Sequence, residues 1–358
     1  MSAEIHSTGE ISTSPRIVVL GAGAWGTAIA LSLAARAREA SHPAVTLWSH
    51  SETSAMEIES ARENRRYLPG FPLPVNLKVT SNDSVIHEAE ILVSVIPSAF
   101  LRATYARIAP RLHAGQILLS GTKGIEEHTF LRITELIKSS LSEHAPQLTR
   151  PGHTIPIGVL SGPSFAQEVA KGLPTAVTVA FHDPTIAAHV QQGFTSPTLR
   201  LYSSTDLIGV ELGGALKNVI AIAAGIANGL GLGHNSTSAL ITRGIAEITR
   251  LAVACGGRRE TLAGLSGIGD LVLTCTGSLS RNRTVGIELG KGGKLDEVLA
   301  SLGGKVAEGV PTTRAALGLA KLHKVEMPIT EQMRAILDEG KDPKVAIREL
   351  MQRPSKDE

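Results

Sequence analysis

Aromatic residues are scarce in this sequence: two Trp, three Tyr and six Phe make up 3% of its 358 residues. Proteins that bind single-stranded nucleic acid stack the bases on aromatic side chains. The formal net charge of +2 also supplies little attraction for a phosphate backbone. The composition therefore gives no support to nucleic acid as a partner.

Cysteine is almost absent as well. The two cysteines, Cys255 and Cys275, form no Cys-x-x-Cys pair. No group of His and Cys has the spacing of zinc ligands, so we expect no metal site. Two isolated cysteines also fit a reducing compartment.

Long apolar runs are missing too. Residues 1–14 are polar and contain no apolar core of a signal peptide, so we expect a disordered tail with no part in the chemistry. The stretch Val219–Gly233 is too short to span a bilayer and is interrupted by Asn228 and several glycines. It predicts a buried core helix, no transmembrane segment and a cytoplasmic protein.

What the sequence does contain is two regions of different periodicity. From Pro15 to about residue 203, short β-branched runs such as RIVVL and TAVTVAF alternate with helical stretches such as Thr27–Arg38 and Phe130–Leu141. This alternation predicts an α/β domain over residues 15–203, with a mostly parallel sheet covered on both faces. After Ser204 the strand signals disappear, which predicts an all-α domain over residues 204–358. A small ligand is expected in the cleft between the two domains.

A glycine motif follows the first predicted strand. Gly21, Gly23 and Gly26 have G-x-G-x-x-G spacing between RIVVL and a helical stretch. This strand–turn–helix order is typical of a Rossmann-type dinucleotide-binding domain, in which the helix N-terminus attracts the pyrophosphate. Ala24 and Trp25 lie in the turn and are expected to touch the cofactor.

The end of the second predicted strand bears on the type of cofactor. An NAD site usually has Asp or Glu there for the ribose 2′-OH, whereas this chain reads WSH and Glu52 comes slightly late. A missing carboxylate removes repulsion against the 2′-phosphate of NADP, which His50, Arg62, Arg65 or Arg66 could bind. We therefore expect NADPH to be favoured and NAD to be tolerated. The arginines could equally form a solvated helix face.

A single lysine interrupts the most apolar helical stretch. Lys217 lies in ELGGALKNVIAIAAG and is the only residue with a full formal charge between Glu211 and Arg243. A buried ammonium is costly unless it is paired or used. Asp270 is the expected partner, because it lies in another apolar segment and shares a helix face with Thr274, four residues on. The pair could serve catalysis or could only hold two helices together.

Further polar residues follow predicted strands or begin predicted helices. The segments GTKGIE and LSGPSFAQEV each follow a strand, and ligands of open α/β sheets bind at that edge. The combination SRNR suits a phosphate group. Taken singly, each residue could also be an ordinary surface or capping residue. The candidate substrate-binding residues are Lys123, Gly162, Ser164, Lys217, Asn218, Asp270, Thr274, Ser280, Arg281 and Asn282, and the candidate catalytic residues are Lys217, Lys123 and Asp270.

Together these motifs resemble the bacterial NAD(P)-dependent sn-glycerol-3-phosphate dehydrogenases. The resemblance rests on GAGAWGTA, GTKG, SGPSFAQEVA, IGVELGGALKNVIAIAAG, GLSGIGDLVLTC and SRNR, in this order. It implies a helical domain like that of 6-phosphogluconate dehydrogenase, a homodimer, and reversible reduction of dihydroxyacetone phosphate to sn-glycerol 3-phosphate for glycerophospholipid synthesis. Ala24 departs from the serine familiar in the family, so backbone donors would have to hold the cofactor phosphates.

The resemblance also implies roles for single residues. Lys217 corresponds to the proton acceptor of the family, and Lys123 to a lysine shared by cofactor and substrate. A cationic donor at the substrate carbonyl would stabilise the charge that grows there and then supply the proton. Motif and resemblance together give the expected cofactor-binding residues: Gly21, Gly23, Ala24, Trp25, Gly26, His50, Lys123, Ala166, Arg281, Val306 and Glu308.

Two other functions stay open. A related β-hydroxyacid-type dehydrogenase, acting on ketopantoate or a phosphogluconate, would have the same architecture. A non-catalytic NAD(P)-binding sensor could use the same fold. The sensor would need no lysine at the cleft, so Lys123 and Lys217 argue against it.

Overall fold

Eight strands form one sheet in the first part of the chain. The computed structural model describes residues 15–36, 45–303 and 306–354. The strand order is β3-β2-β1-β4-β5-β6-β7-β8, and every neighbouring pair is parallel except β6 and β7. The predicted, mostly parallel sheet is therefore confirmed. The strands are β1 (Ile17–Leu20), β2 (Val45–Trp48), β3 (Leu77–Thr80), β4 (Ile91–Ser94), β5 (Ile117–Ser120), β6 (Ile157–Ser161), β7 (Thr175–Ala180) and β8 (Leu199–Ser204).

The two strands that the sequence pattern did not predict, β3 and β8, are the two edges of the sheet. The central strands are buried along their whole length, which gives the apolar runs visible in the sequence. In β3 and β8, buried residues alternate with exposed ones such as Lys78 and Arg200. Four to six residues with this alternation give a weak strand signal.

Helices cover both faces of the sheet. Val19, Leu47 and Val93 point to one face, and Val18 and Leu92 point to the other, where each set joins a separate buried cluster. Because alternate residues of a strand face opposite sides, two apolar layers need continuous apolar strands. The helices of this part are α1 (Ala24–Arg36), α2 (Glu52–Ala61), α3 (Ser84–Glu88), α4 (Ser98–Ile108), α5 (Ile133–His144), α6 (Ala166–Ala170) and α7 (Pro184–Phe194).

Beyond the sheet, the described residues from 206 onward are helical with connecting turns, as predicted. A π-helical turn, Leu265–Gly269, leads into the helix that begins at Asp270. The helices are α8 (Leu207–Gly229), α9 (His234–Ala254), α10 (Arg259–Leu262), α11 (Asp270–Thr276), α12 (Arg281–Gly290), α13 (Leu295–Ser301), α14 (Gly309–Leu322), α15 (Pro328–Glu339) and α16 (Pro343–Met351).

Helices α8 and α12 pack backbone against backbone through glycines. A Cβ atom on Gly286 would lie 2.0 Å from the Ile222 carbonyl oxygen, and one on Gly225 would lie 2.1 Å from the Arg283 carbonyl oxygen. Side chains at these positions would push the helices apart. The close contact places the start of α12 beside the middle of α8.

Among the described helices, α8 has the length and mean hydropathy (1.6) of a membrane span, and a bent pair formed by residues 259–276 and 281–290 passes the same test. Within α8, 94% of the most apolar window is buried inside the protein. This burial agrees with the prediction of a core helix for this segment.

Two sequence predictions concern residues that the structure does not describe, and one predicted helix begins at a different residue. The expected tail, residues 1–14, lies outside the described residues, as do the last two residues of the helix expected over Thr27–Arg38. The helix expected over Phe130–Leu141 is α5, which begins three residues later. The domain boundary between residues 203 and 204 stays a prediction.

A candidate active site at the carboxyl edge of the sheet

The glycine turn after β1 is shaped by two close backbone contacts and one open position. Gly21 has φ +111°, and a Cβ atom there would lie 2.7 Å from the Val95 carbonyl oxygen. A Cβ atom on Gly26 would lie 1.9 Å from the Gly21 carbonyl oxygen. Apart from its two chain neighbours, no described residue has an atom within 4 Å of the Cβ position of Gly23. The turn therefore leaves room for a pyrophosphate at the N-terminus of α1, and the residues present fit a dinucleotide.

Asn64 holds this turn from outside. Its buried side chain donates to the Ala22 carbonyl oxygen (2.9 Å) and to the Thr27 hydroxyl (2.8 Å). Sequence reasoning missed Asn64, which lies 42 and 37 residues from these partners in a loop rich in proline and arginine. The residues around Asn64 in the sequence give no indication of this contact, because both of its partners are distant in the chain.

Two side chains expected at the cofactor lie at this same edge. Trp25 is half-buried, and its Nε1 atom lies 3.2 Å from the Cβ position of Gly121, the residue after β5. His50 is exposed, two residues after β2. Strands β2 and β5 are three positions apart in the sheet, or roughly 14 Å. The chain order reverses between them, at β1, which is where open α/β sheets bind ligands.

The three arginines considered for a 2′-phosphate differ in their surroundings. Arg62 donates to Glu59 (2.8 Å) and to the carbonyl oxygens of Pro74 and Leu77, so its guanidinium is occupied. Arg65 is exposed and 3.4 Å from Glu63, and Arg66 lies over the Tyr67 ring. His50, Arg65 and Arg66 therefore remain the candidates.

Lys217, Asp270 and Lys123 form a buried ion cluster. Lys217 lies in the middle of α8, and its Nζ atom donates to Oδ1 of Asp270 and, at 2.8 Å, to the hydroxyl of Thr274. Lys123, three residues after β5, donates to Oδ2 of Asp270 at 2.7 Å. The Asp270 side chain is 1% exposed. The expected pairing of Lys217 with Asp270 is present, and the structure adds Lys123 as a second partner.

The charges of this cluster influence one another. The pKa of Lys217 falls to about 7, because burial lowers it more than Asp270 raises it, and the Lys123 ammonium lowers it further. Burial acts to raise the pKa of Asp270, but the two ammonium groups outweigh burial and bring the pKa below its ordinary value. With both lysines protonated, two ammonium groups face one carboxylate, and the excess positive charge suits an anionic substrate.

Close approach of α8 to the sheet makes the cluster possible. A Cβ atom on Gly214, one turn before Lys217, would lie 2.4 Å from the Ser161 hydroxyl and 3.9 Å from Cδ of Lys123. Ser161 ends β6, and its buried hydroxyl has no hydrogen-bond partner among the described residues. Sequence reasoning missed Ser161, although its place at the end of a predicted strand was a signal.

The turn after β6 reaches the same region. Gly162 has φ +143°, and a Cβ atom there would lie 2.9 Å from Cα of Val177. The Ser164 hydroxyl donates to the Gly162 carbonyl oxygen at 2.9 Å. Pro163 lies 3.8 Å from the Cβ position of Gly269, the residue before Asp270. Ala166 begins α6 directly after this turn.

A network of amides fixes the start of α12. Asn282 donates to Oδ1 of Asn218 (2.9 Å) and accepts from the backbone N–H of Gly309 (3.0 Å). The Ser280 hydroxyl accepts from the backbone N–H of Arg283 and caps the helix. Arg281 is exposed at the first position of α12. Although Arg281 is exposed as a residue, burial of its guanidinium end lowers the pKa, and Glu308 opposes that lowering. The SRNR segment thus holds one cation next to Asn282, which contacts Asn218.

Glu308 links the start of α14 to the start of α4. Its carboxylate accepts from the Ser98 backbone N–H (3.1 Å) and hydroxyl (2.6 Å). Burial raises the pKa of Glu308, and the Ser98 hydrogen bonds and Arg281 oppose that rise. Val306 is half-buried two residues earlier. Sequence reasoning did not find Ser98, although it follows the strand β4.

Comparison with known proteins identifies the family. The family model for the NAD-dependent glycerol-3-phosphate dehydrogenase N-terminus matches residues 16–187, and the model for the C-terminus matches residues 206–348. The chain belongs to the NAD-dependent glycerol-3-phosphate dehydrogenase family. The resemblance inferred from the motifs is therefore confirmed.

The sequences of named relatives align with nearly the whole chain. A protein of Acidobacterium capsulatum named glycerol-3-phosphate dehydrogenase (NAD(P)+) is 58% identical over 347 residues, which cover 96% of this chain and 99% of the relative. A protein of Koribacter versatilis with the same name is 53% identical over 95% of this chain and 98% of the relative. The crystal structure of glycerol-3-phosphate dehydrogenase from Coxiella burnetii is 38% identical, with a TM-score of 0.87 over 96% of this chain and all of that one. The Rossmann-type α/β part followed by a helical part is thus the architecture of a known glycerol-3-phosphate dehydrogenase.

Proposed function

We propose that this chain catalyses the reversible reduction of dihydroxyacetone phosphate to sn-glycerol 3-phosphate with NADPH or NADH. The observation that carries the proposal is the buried cluster of Lys217, Asp270 and Lys123 at the sheet edge that also holds the glycine turn. The cluster supplies a proton donor whose pKa is about 7, beside positive charge that suits a phosphate ester. Membership of the glycerol-3-phosphate dehydrogenase family supports the choice of substrate.

Lys217 is the proposed proton donor. When bound, the reduced nicotinamide supplies the hydride that substrate C2 accepts. Negative charge then grows on the carbonyl oxygen, where the Lys217 ammonium stabilises it and transfers a proton. In the oxidation direction the neutral amine removes that proton. Asp270 and Thr274 use two of the three ammonium N–H groups and so aim the third.

The start of α12 is the proposed site for the substrate phosphate. Arg281 is exposed there and can bind a phosphate through two parallel hydrogen bonds. Asn282 and Asn218 are held by their mutual hydrogen bond beside Lys217. Binding energy at the phosphate would position C2 at the amine. Gly162 and Ser164 would border the same substrate from the sheet side.

The cofactor is proposed to lie along the carboxyl edge, from His50 to Lys123. Gly21, Gly23 and Gly26 would hold the pyrophosphate at the N-terminus of α1. The remaining proposed contacts are Ala24, Trp25, Ala166, Arg281, Val306 and Glu308. We propose a preference for NADPH, because β2 ends without a carboxylate and His50, Arg65 and Arg66 are candidate partners of a 2′-phosphate.

The larger organisation is part of the proposal. We propose an α/β domain over residues 15–203, a helical domain over residues 204–358, a homodimer and a cytoplasmic role in glycerophospholipid synthesis. The domain bounds rest on the change from strand–helix alternation to helices alone, and the location rests on the lack of a predicted signal peptide or membrane span. The homodimer and the role in lipid synthesis rest on the resemblance of the motifs to the bacterial family. A solution mass near twice 37.5 kDa, measured by light scattering, is expected for the dimer.

An absorbance assay at 340 nm tests the activity. Purified full-length protein is given dihydroxyacetone phosphate, ketopantoate or 6-phosphogluconate with the matching form of NADP(H) or NAD(H). We expect turnover with dihydroxyacetone phosphate and a higher kcat/KM with NADPH than with NADH. Tight NADPH binding without turnover of any substrate would instead identify a sensor.

A further inference from the structure

The residues that directly follow Lys123 form a hairpin that enters the helical part of the molecule. Ile125 and Arg132 pair in antiparallel fashion, and Glu126 donates its backbone N–H to the Leu131 carbonyl oxygen at 2.9 Å. We call residues 124–132 the anchor hairpin. Its base adjoins Lys123, so the position of the hairpin constrains the backbone from which the Lys123 side chain extends.

Two apolar side chains carry the hairpin into the helical core. Ile125 is 2% exposed and belongs to the buried cluster formed by α8 and its neighbours. Phe130 packs against the same cluster, with its ring at Gly318 of α14. A Cβ atom on Gly318 would lie 2.1 Å from the ring, so the glycine forms a notch that the ring fills.

Phe130 adopts an unusual backbone conformation to reach that notch. Its φ is +59°, in the left-handed region that non-glycine residues rarely occupy. Such a conformation costs free energy and persists where the surrounding structure imposes it, often at functional sites. The strain is consistent with a packing contact between the Phe130 ring and Gly318 that outweighs the backbone preference of Phe130.

Charged residues hold the hairpin on both sides. Glu126 accepts two hydrogen bonds from Arg102 of α4, at 2.8 and 2.7 Å. Glu127 pairs with Arg314 of α14 at 3.1 Å. At the far end, Arg132 donates to the buried Glu211 of α8 at 2.5 Å. The hairpin therefore joins the sheet part to both α8 and α14.

We propose that the anchor hairpin is a positioning element that holds the Lys123 ammonium against Asp270, and that Phe130 is the residue that seats it. The Lys123 side chain is long and 20% exposed, so its ion pair needs a fixed backbone. Gly124 supplies the join, with φ +144° and Ser98 3.1 Å from its Cβ position. The inference rests on the proposed function, because its consequence is the geometry of the Lys217 site.

Two single variants disturb the seat in opposite ways. Phe130→Ala removes the ring, and Gly318→Ala fills the notch, and neither changes a residue of the ion cluster. We expect each to lower kcat/KM for dihydroxyacetone phosphate about 10- to 100-fold, as a misplaced site residue does. The double variant should be no worse than Phe130→Ala, because the added methyl group no longer meets a ring.

The pH profile separates positioning from loss of stability. Lys217 faces Asp270, Thr274 and Cys275 of α11 and the Lys123 ammonium. If Lys123 moves away, Lys217 loses the neighbour that lowers its pKa and keeps the carboxylate that raises it. The limb of kcat/KM that reports Lys217 should therefore move to higher pH in both single variants. Loss of folded protein alone would lower kcat/KM without moving that limb.

Leu322→Ala is the matched control, since Leu322 lies one turn after Gly318 on α14 and is 66% exposed. Its kcat/KM and pH profile should equal those of the unmodified protein. If Phe130→Ala fails to fold, Phe130→Leu and Gly318→Ala carry the test. Wild-type kcat/KM in the folded variants, or lower activity with an unmoved pH profile, would overturn the inference. An unmodified protein that does not reduce dihydroxyacetone phosphate would overturn the proposed function instead.

Discussion

At the scale of single residues, the chemistry depends on how one ammonium group is buried. Lys217 lies on the most apolar helix of the chain, and burial alone accounts for the largest part of its lowered pKa. The Asp270 carboxylate stabilises the buried ammonium of Lys217, and the Lys123 ammonium in turn stabilises the Asp270 carboxylate. A lysine whose pKa is about 7 can give and take a proton near neutral pH.

Removal of this amine should abolish most of the catalysis. Lys217→Ala is expected to lower kcat about 10²- to 10⁴-fold, because it removes the group proposed to stabilise the carbonyl oxygen and to transfer the proton. Cofactor affinity should change much less. Stopped-flow and steady-state assays would measure both, with Lys291→Ala on the surface as a control. Unchanged turnover would exclude Lys217 as the proton donor.

The direction of the reaction should set the direction of the pH dependence. Reduction needs protonated Lys217, so kcat/KM for dihydroxyacetone phosphate should fall as pH rises through about 7. Oxidation needs the neutral amine, so kcat/KM for sn-glycerol 3-phosphate should rise over the same range. Initial rates from pH 5.5 to 9 at saturating cofactor would show the two opposite limbs. Parallel limbs in both directions would contradict this assignment.

The substrate phosphate should depend on a different residue. Arg281→Ala is expected to raise KM for dihydroxyacetone phosphate at least about tenfold, since a guanidinium–phosphate contact contributes about 1.5–3 kcal/mol. The value of kcat should change less. Arg334→Ala, an exposed arginine on α15, is the control. An unchanged KM in Arg281→Ala would mean that the phosphate binds elsewhere.

At the scale of elements, glycine decides how closely the helices of the site approach. Gly214 lets α8 lie against the end of β6, and Gly225 and Gly286 let α12 lie against α8. The first contact brings Lys217 towards Lys123, and the second brings Asn282 to Asn218. The site is therefore assembled by backbone contacts that larger residues would prevent.

Glycine-to-alanine variants test whether these close backbone contacts are needed. Gly286→Ala places a Cβ atom 2.0 Å from the Ile222 carbonyl oxygen, so we expect a loss of about 1–3 kcal/mol in the free energy of unfolding and a raised KM. Gly193 of α7 is the control, because no described atom outside the backbone of its own helix and its chain neighbours lies within 4 Å of its Cβ position. Gly193→Ala should stabilise the protein by up to about 1 kcal/mol. Urea unfolding would compare the two, and equal stability of both variants would refute the packing argument.

At the scale of the whole molecule, ion pairs and hydrogen bonds join the sheet to the helices at several places. Besides the site, buried Glu211 of α8 accepts from the backbone N–H and hydroxyl of Thr134 (2.7 and 2.9 Å) and from Arg132. Burial raises the pKa of Glu211, while Arg132 and Thr134 counteract it. This contact fixes the N-terminus of α5 on the helix that carries Lys217.

Replacement of Glu211 should therefore lower the free energy of unfolding of the protein. Glu211→Leu leaves the Arg132 guanidinium, 12% exposed, with Glu135 as its remaining carboxylate partner in the described chain. We expect a loss of about 3–5 kcal/mol in the free energy of unfolding, as for a buried pair with one partner removed. Arg334→Ala, which breaks an exposed pair, should cost less than about 1 kcal/mol. Similar unfolding midpoints for these two variants would show that the buried pair does not join the parts.

Local patterns were sufficient for the central strands, and they supplied the candidate site residues, whose roles stay predictions. The buried strands are recognisable in the sequence as apolar runs. The glycine motif predicts the turn between β1 and α1 from neighbouring residues alone. The edge strands β3 and β8 escaped prediction because half of each strand faces solvent. Asn64 and Phe130 escaped for another reason: their partners are distant in the chain.

The sequence by itself determined the order of strand, turn and helix at the cofactor turn, and it marked Lys217 as a charge in apolar surroundings. These features depend on residues within a few positions of one another. Only the tertiary structure decided that Lys123 joins Lys217 on one carboxylate, although Asp270 lies 147 residues from Lys123. It also decided that Phe130 enters a notch on a helix far along the chain. Such contacts form when packed helices and strands bring distant residues together, and no local spacing encodes that convergence.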